Sequence, residues 1–327
     1  MNSMVKKYIK RRESGIAIAA ILIFILFSVI TDSFLTAYNL FNISRTLSFY
    51  VFIALSQAVV LVVGGMNLSI GGIGALATIT TGYLLQNVGV PSSVAVICAL
   101  GIGIACGALN GFLITKVPLN AFIVTLSTSF IFTGLVYGIS KGFSYTDIPK
   151  SFSLVGRKAF LGLPIIFWLM LVMLAVVFYI YQYTVTGRRM LATGGNKEAA
   201  ELSGINTDRM ILFSNILSGF FAALTGILYV SRMGSAQPAT GTNWMIISFA
   251  VAIIGGTSLD GGVITAIGLF FGGVIMVLIK NGLILVEANV YFEQAFLGSI
   301  ILLAVSLDRI QYFFSHVRKK MNDSKNK

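Results

Sequence analysis

Charged residues are scarce in this chain of 327 residues. Asp, Glu, Lys and Arg together make up 10% of it, whereas hydrophobic residues make up 57% and the mean hydropathy is +0.91. Soluble proteins carry about 25% charged residues, so the chain has too little charged surface to cover a water-soluble globule. The composition excludes an ordinary cytosolic domain, a disordered chain and a coiled coil, and it favours a protein dissolved in lipid.

Cysteine and histidine, which bind metals and take part in catalysis, are also scarce. The two cysteines, Cys98 and Cys106, lie within one apolar run, whereas a structural zinc site takes about four ligands. The single histidine, His316, belongs to a basic tail, which excludes a histidine-dependent hydrolase. The sequence has neither a Walker-type phosphate loop nor a His-Glu-x-x-His motif. We therefore expect a chain that is not an enzyme and that holds no metal and no cofactor.

Acidic residues are nearly missing from the apolar runs. Proton-driven transporters place carboxylates within the membrane, whereas the acids of this chain lie in loops or near the ends of the last run, as Glu293 and Asp308 do. The energy for any transport is therefore expected to come from elsewhere.

Long apolar runs take the place of charge. A helix needs ~20 apolar residues to cross a bilayer, and these runs are apolar on all sides rather than along one face. We predict an all-α polytopic membrane protein of about ten transmembrane helices. Their approximate bounds are 16–30, 47–64, 68–86, 94–115, 121–140, 164–183, 210–232, 246–256, 263–286 and 291–307. The eighth run is too short to cross as one regular helix, so we expect it to extend into its flanks.

Basic residues set the orientation. If the N-terminus is cytoplasmic, 16 of the Lys and Arg residues fall inside and six outside, as the positive-inside rule requires. Both termini are then cytoplasmic, with a basic N-terminus (1–14), a transmembrane domain (15–308) and a basic tail (309–327). The net charge of +12 follows from this distribution, so we expect membrane lipid as a partner and no nucleic acid.

Small residues recur at four-residue spacing within several runs, which places them on one helix face and lets two helices approach closely. These sets are Gly103, Gly107 and Gly111, then Gly134 with Gly138, and Gly268 with Gly272. The pattern indicates helix packing, with a role in opening and closing a pathway as the alternative.

Two connections are longer than the others: an outside loop, 141–163, and an inside loop of about 184–209. The inside loop is polar and helix-like in its middle, since Asn196 is a good N-cap and Gly204 a good stop signal. We predict about two helical turns between them, Lys197 to Ser203. A rigid helix below the membrane can receive a push from a partner, and a solvated connector is the alternative.

The stretch GRRMLATGGNKEAAELSGIN, 187–206, resembles the coupling loop of ABC importer permeases, and specifically of the simple-sugar, ribose-type branch. Four further stretches resemble that branch in order along the chain. They are GGMNLSIGGIGAL (64–76), NAFIVTLSTSFIFTGL (120–135), ISFAVAIIGGTSLDGG (247–262) and IKNGLILVEANVYFEQAFLGSIILLAV (279–305).

The resemblance implies a permease subunit of the cell inner (plasma) membrane that works with three partners. These are a separate ABC ATPase subunit, an extracytoplasmic substrate-binding protein, and a second permease subunit that is identical or related. It also implies that Glu198, Ala199, Ala200 and Gly204 couple the permease to ATP hydrolysis, and that the solute is a ribose-like sugar. Two alternatives stay open: a nucleoside or sugar-like signalling molecule as the solute, or an ATP-independent secondary transporter or channel.

One position departs from the family pattern. The family usually has Asp where this chain has Asn67, two residues before Ser69. An amide still donates and accepts hydrogen bonds, as a group that contacts a sugar must. The glycines on both sides favour a broken helix that lines a cavity, and capping of a span end is the alternative.

Polar residues within spans are candidates for lining the pathway, because a weakly polar and uncharged lining suits a hydroxyl-rich sugar. Hydrogen bonding to a neighbouring helix is the alternative for each of them. Besides Asn67 and Ser69, these candidates are Ser56, Gln57, Asn110, Ser127, Thr128, Ser129 and Asn281.

Overall fold

The computed structural model of the chain describes residues 3–117 and 119–287, together with residues 295, 298, 299 and 302. The described part is built almost entirely of helices, with one short antiparallel hairpin. The helices are α1 (Ser3–Ile30), α2 (Ala37–Leu61), α3 (Ile70–Tyr83), α4 (Ser92–Lys116), α5 (Ala121–Ser140), α6 (Lys150–Arg157), α7 (Ile165–Tyr183), α8 (Val185–Gly195), α9 (Lys197–Leu202), α10 (Thr207–Met233), α11 (Trp244–Ile254) and α12 (Ala266–Leu285). The hairpin pairs β1 (Ala159–Phe160) with β2 (Leu163–Pro164).

Seven helices of the described chain are long and apolar enough to cross a membrane, namely α1, α2, α4, α5, α7, α10 and α12. Each corresponds to a predicted span, so the prediction of an all-α polytopic membrane protein is confirmed. The tenth predicted span (291–307) and the basic tail (309–327) lie outside the described residues. The placement of both termini in the cytoplasm stays a prediction.

Two of the predicted spans fold as helices that are too short to cross a bilayer. Helix α3 has 14 residues and continues into a π-helical turn at Leu84–Val88, and α11 has 11 residues. The expectation that the eighth span extends into its flanks was wrong. Gly241 before α11 and Gly256 after it have φ values of +91° and +81°, a left-handed conformation that ends a helix and that glycine adopts at little cost.

The short helices α3 and α11 begin beside each other. A Cβ built on Gly71, near the start of α3, would lie 2.3 Å from the carbonyl oxygen of Gly241, just before α11. A Cβ on Gly74 would lie 2.2 Å from the ring of Trp244. The two helix starts therefore meet at a contact that only glycine permits.

Helix α2 forms the centre of the molecule, with 78% of its most apolar window buried, whereas only 6% of the window in α1 is buried. Helix α10 packs along α2, α3 and α4. The predicted glycine stripe of α4 makes this packing possible, because a Cβ on Gly107 would lie 2.2 Å from the carbonyl oxygen of Asn215 in α10. Two other glycines behave differently: Gly134 and Gly138 on α5 have nothing within 4 Å of a built Cβ.

The connection 141–163, which the sequence predicts to lie outside, contains the helix α6 and part of the hairpin, neither of which the sequence predicted. Helix α6 is held by the end of α10, whereas β2 packs against α2 and α7. The Ser231 hydroxyl accepts from the Gly156 N–H at 2.8 Å and donates to the Phe152 carbonyl at 2.6 Å. Arg157 donates to the carbonyls of Arg232 and Met233. These contacts join residues that are far apart in the sequence, so no local sequence pattern predicts them.

Candidate coupling segment and polar cluster

The polar stretch 184–209, called here the coupling segment, folds into two helices rather than one. Thr184 caps α8, since its hydroxyl accepts from the Gly187 N–H at 3.1 Å. Asn196 separates α8 from α9 and caps α9, with its Oδ1 accepting from the Ala199 N–H at 2.9 Å. The predicted helix start after Asn196 is therefore confirmed. Helix α8 was not predicted, because its glycines at both ends resemble a loop.

Gly204 ends α9 as the sequence predicts. Its φ is +78°, and its N–H donates to the Glu201 carbonyl at 2.9 Å while the Ile205 N–H donates to the Ala200 carbonyl at 3.0 Å. This pair of bonds is a Schellman motif, which satisfies the last carbonyls of a helix and favours glycine at the left-handed position. The short helix therefore has both ends fixed.

The predicted coupling residues divide between the two faces of α9. Glu198, Ala199 and Gly204 are exposed, whereas Ala200 is buried at 4%. Leu202 lies on the outer face with 91% of its surface exposed. Helix α9 therefore presents a small apolar and acidic face outward and is held to the molecule through Ala200.

Helix α8 connects this outer face to the central helix α2. The carbonyl of Val62, just after α2, accepts from the Gly262 N–H at 2.9 Å, and Gly194 of α8 packs against the same carbonyl. Met190 and Thr193 of α8 are buried. Helix α8 also packs against α7 and α10, and it touches the residue after α2 through a direct contact between backbones.

Ion pairs around the coupling segment contribute little to its position. Lys116 at the end of α4 lies 3.5 Å from Asp208, and Lys197 lies 3.9 Å from Glu201, but all four side chains are exposed. Pairs of this kind stabilise a fold by roughly 0–1 kcal/mol. In the described part of the chain, no group of three His, Cys, Asp or Glu side chains is placed to hold a metal ion.

Four polar side chains meet where the chain is non-helical between α2 and α3, and we call them the polar cluster: Asn67, Ser69, Asn110 and Ser218. Each is fully buried. The Asn67 Oδ1 accepts from the Ser69 N–H at 2.9 Å and from the Ser69 hydroxyl at 2.7 Å. The Asn67 Nδ2 donates to the Ser218 Oγ at 2.9 Å, and the Asn110 Nδ2 donates to the Ser69 Oγ at 2.8 Å.

The polar cluster ties the non-helical segment 62–69 to α4 and α10. Asn67 bends the chain into α3 by bonding two residues ahead, as an Asx turn does, and also bonds across to α10. It thus makes both a local turn and an interhelical contact, which is consistent with the interrupted helix that its flanking glycines favour. Segment 62–69 begins at Val62, the residue that α8 contacts, and ends at Ser69 of the polar cluster. Eight residues of chain therefore lead from the α8 contact to the cluster.

Gln57 is the candidate with the least explained environment. Its side chain is fully buried in α2, yet neither its Nε2 nor its Oε1 has a hydrogen-bond partner among the described residues. Buried polar groups are nearly always paired, and an unpaired amide costs about 1–3 kcal/mol. The unpaired amide of Gln57 is consistent with a position where water or a transported solute supplies the hydrogen bonds.

The other candidates are not brought together with the polar cluster. Asn281 exchanges two hydrogen bonds with Asn39, at 3.0 and 2.8 Å, and so joins α12 to the start of α2. Thr128 is buried and donates to the Thr125 carbonyl at 3.2 Å. Ser127, by contrast, is exposed on α5. Ser56 is buried and donates to the Ile53 carbonyl at 2.7 Å within α2, and Ser129 is half-buried on α5.

Ser218 is the member of the cluster that the sequence did not predict. It stands in an apolar run, and its partner Asn67 is 151 residues away. The only local signal for its position is the neighbouring Gly219. This glycine marks a close helix contact, because a Cβ on it would lie 2.1 Å from the Gly103 carbonyl oxygen. A polar residue next to such a close helix contact faces the neighbouring helix.

A family model matches most of the chain. Residues 39–305 match the model described as the permease component of branched-chain amino acid transport systems. The match spans the polar cluster, the coupling segment and the central helices.

Sugar permeases resemble the chain over nearly its whole length. The ribose import permease protein of Bacillus subtilis is 34% identical over 300 residues, which cover 91% of this chain and 93% of the relative. The D-allose transport system permease protein of Escherichia coli K12 is 33% identical over 293 residues, 90% of each chain. The L-arabinose transport system permease protein of the same strain is 32% identical over 305 residues, 91% of this chain and 90% of the relative.

Proposed function

Because the chain belongs to this permease family, and within it to the sugar permeases of ABC importers, we propose that it forms the translocation pathway for a simple, ribose-like sugar and that a separate ATPase drives it. The chain is a multi-pass protein of the inner membrane, with seven helices able to cross it. The observation that carries the proposal is that α9, whose outer face is exposed, packs on α8, and that α8 contacts the residue directly after the central helix α2.

The ATPase docks on the outer face of α9. Leu202 and Ala199 enter an apolar depression of the partner, and Glu198 adds an acid in the first turn, where the helix dipole favours it. A short helix with a cap at both ends moves as a rigid body, so the motion of the ATPase passes to α8 without being absorbed by unwinding.

The motion then reaches the membrane through backbone contacts. Helix α8 presses on the end of α2 at Val62, and segment 62–69 carries the displacement to the polar cluster. Rearranging the hydrogen bonds of Asn67 changes the spacing of α3, α4 and α10. Because packed elements change between discrete arrangements rather than deforming continuously, a small displacement at α9 is enough to switch the pathway between outward and inward access.

The lining suits an uncharged solute rich in hydroxyl groups. Gln57 carries an amide and Thr128 a hydroxyl, and both groups exchange hydrogen bonds with a sugar without binding it by charge. Such a lining passes the solute without trapping it, and selection among sugars falls to the extracytoplasmic binding protein. The relatives named as ribose, allose and arabinose permeases support a monosaccharide as the solute.

A second permease subunit faces α5. Ser127, Gly134 and Gly138 lie on exposed positions of this helix, and the two glycines have no neighbour within 4 Å. Small residues on a span permit close approach of another helix. The pathway then runs between two subunits, and the binding protein docks on the opposite side of the membrane from the coupling segment.

Reconstitution tests the function directly. The permease, its ATPase and its binding protein are placed in liposomes, and uptake of labelled ribose is measured with and without ATP, with allose, arabinose and a nucleoside as competitors. We expect uptake only when all three components and ATP are present. Ribose flux through the permease alone would instead identify a channel or secondary transporter.

A double variant tests the coupling role in the same system. Replacing Glu198 and Gly204 should leave ATP hydrolysis and membrane insertion intact while uptake is lost. Normal uptake by this variant would contradict the assignment of α9.

A further inference from the structure

A cavity of about 560 Å³ lies where three membrane spans end on the side of the coupling segment. Glu13 opens the apolar window of α1, Tyr181 stands near the end of α7, and Ala266 begins α12. The remaining walls come from Arg188 in α8 and from the turn before α12. This position is the boundary between the hydrocarbon and headgroup regions of the bilayer.

The cavity combines an apolar side with a polar one. Phe178 of α7 and Ile267 of α12 both line it and are 43% and 51% exposed, so an apolar chain finds contacts there. The polar side is made by Arg188 and Gln182, which line it together with Glu13. A pocket with these two sides fits an amphiphile better than a fully soluble ligand.

Tyr181 independently indicates that a ligand binds in the cavity. It lines the cavity and its side chain is 6% exposed, yet its hydroxyl has no hydrogen-bond partner among the described residues. A buried hydroxyl almost always finds a partner. A ligand in the cavity would supply that partner.

Two groups on the polar side favour a phosphate. The Arg188 guanidinium offers several N–H donors, of which one reaches a described residue, the Tyr183 carbonyl, at 3.4 Å. Arginine also matches the geometry of phosphate oxygens. The start of α12 also lines the cavity through Thr265, Ala266 and Ile267. The first N–H groups of a helix have no intrahelical partner and bind anions.

Glu13 favours a cation at the other end of the same ligand. Its side chain is half-buried and forms no ion pair with the described residues. A carboxylate close to an anion site repels a purely anionic ligand but stabilises one that also carries an ammonium group. The charges of the cavity are thus complementary to a zwitterion.

We propose that this cavity binds the headgroup of a zwitterionic phospholipid from the leaflet on the side of the coupling segment. The phosphate lies against Arg188, Tyr181 and the start of α12, and the ammonium group lies against Glu13. The acyl chains leave along Phe178 and Ile267. The lipid contacts α1, α7, α12 and α8 together, so it stabilises the position of α8 in the coupling segment. This site does not depend on which solute the permease carries.

Native mass spectrometry of the purified full-length chain tests the site. After delipidation, the protein is titrated with dioleoylphosphatidylethanolamine, with dioleoylphosphatidylglycerol and with inorganic phosphate alone. We expect one phosphatidylethanolamine to bind more tightly than phosphatidylglycerol, and phosphate alone to bind far more weakly than either. Equal affinity for both lipids would overturn the assignment to a zwitterion, and competition by phosphate alone would identify a free-anion site instead.

Variants separate the roles of the lining residues. R188Q should weaken phosphatidylethanolamine binding by about tenfold, because a charged hydrogen-bond donor is lost. R189Q is the matched control, since the exposed neighbour on α8 is not among the lining residues, and its binding should be unchanged. Equal weakening by both variants would mean that surface charge alone attracts the lipid.

The remaining two variants keep the test decisive if R188Q does not fold. E13Q should erase the preference for phosphatidylethanolamine over phosphatidylglycerol, and Y181F should weaken binding of both a few-fold, with the unfolding temperature of each lipid-free variant close to that of the unaltered chain. Unchanged lipid binding in both E13Q and Y181F would overturn the proposal.

Discussion

Gly194 of the coupling segment packs directly on the carbonyl group of Val62 at the end of the central helix: a Cβ built on Gly194 would lie 1.9 Å from the Val62 oxygen. The same carbonyl already accepts a hydrogen bond from the Gly262 N–H at 2.9 Å. The contact therefore joins three parts of the chain, α8, α2 and the turn before α12. It is one of the contacts through which the coupling segment meets the membrane helices, beside those of α8 with α7 and α10.

Gly194→Val should separate ATP hydrolysis from uptake. The new side chain has no room, so α8 must move away from Val62 at a cost of about 1–3 kcal/mol, and the displacement of α9 no longer reaches segment 62–69. ATPase activity should persist in the reconstituted complex while sugar uptake falls by roughly tenfold or more.

Gly195→Ala is the matched control for this prediction. It alters the next residue of α8, whose built Cβ meets nothing within 4 Å, and should leave both activities unchanged. Uptake by Gly194→Val equal to that of the control would exclude the contact as the transmission route.

Leu202→Glu should prevent docking of the ATPase. Leu202 is 91% exposed, so the change does not disturb the fold, but a charge buried without a partner at an interface costs several kcal/mol. Co-purification of the ATPase with the permease measures the effect, and we expect a loss of at least tenfold in affinity. Leu202→Met keeps an apolar side chain of similar volume and should bind normally. If Leu202→Glu also binds normally, the docking face lies elsewhere on the coupling segment.

Gly134→Leu and Gly138→Leu should weaken association of two permease subunits. Nothing lies within 4 Å of either position, so each change leaves the single chain intact but adds bulk to the face that we assign to the second subunit. Light scattering of the purified permease in detergent measures the dimer fraction.

Gly101→Leu on α4 is the control for the α5 variants, because Gly101 is also an exposed span glycine without a neighbour. The dimer fraction should fall for the α5 variants only. A fall of the same size for Gly101→Leu would mean that added bulk on any exposed span disturbs association.

The sequence predicted what is local and left out what depends on distant contacts. Asn196 and Gly204 are local start and stop signals for a helix. Helix α9 was therefore correctly placed from residues 196–204 alone. The glycine stripe of α4 was also predicted, because four-residue spacing is a property of one helix. Helix α6 was missed because it is held by the Ser231 hydroxyl and the Arg232 carbonyl, each 75 residues from its partner in α6. The hairpin next to it was missed as well.

The candidate site divides in the same way. Asn67, Ser69 and Asn110 were predicted as polar residues in apolar surroundings, and the structure gathers them. Ser218 completes the cluster but has no distinguishing pattern. Polarity within a span is equally visible at Asn281, which joins two helices through Asn39. Sequence alone therefore marks polar residues of spans without telling a lining residue from a packing one.

Gln57→Leu separates these two roles by comparing stability with transport. Both polar atoms of Gln57 are buried and unpaired among the described residues, so removing them relieves a desolvation cost of about 1–3 kcal/mol. The variant should be as stable as the unaltered chain or more stable, as measured by thermal unfolding in detergent. If Gln57 exchanges hydrogen bonds with the passing sugar, uptake should nevertheless fall, because the lining then offers the solute no partner at that depth.

Asn67→Leu provides the contrast to Gln57→Leu, because it leaves the Ser218 hydroxyl and the Ser69 N–H without their partner in a fully buried place. Its unfolding temperature should fall clearly, in keeping with a loss of roughly 2–5 kcal/mol for several unpaired groups. A structural polar residue thus loses stability on becoming apolar, whereas a lining residue loses function alone. Should Gln57→Leu destabilise the chain as much as Asn67→Leu does, Gln57 is a packing residue and the pathway runs elsewhere.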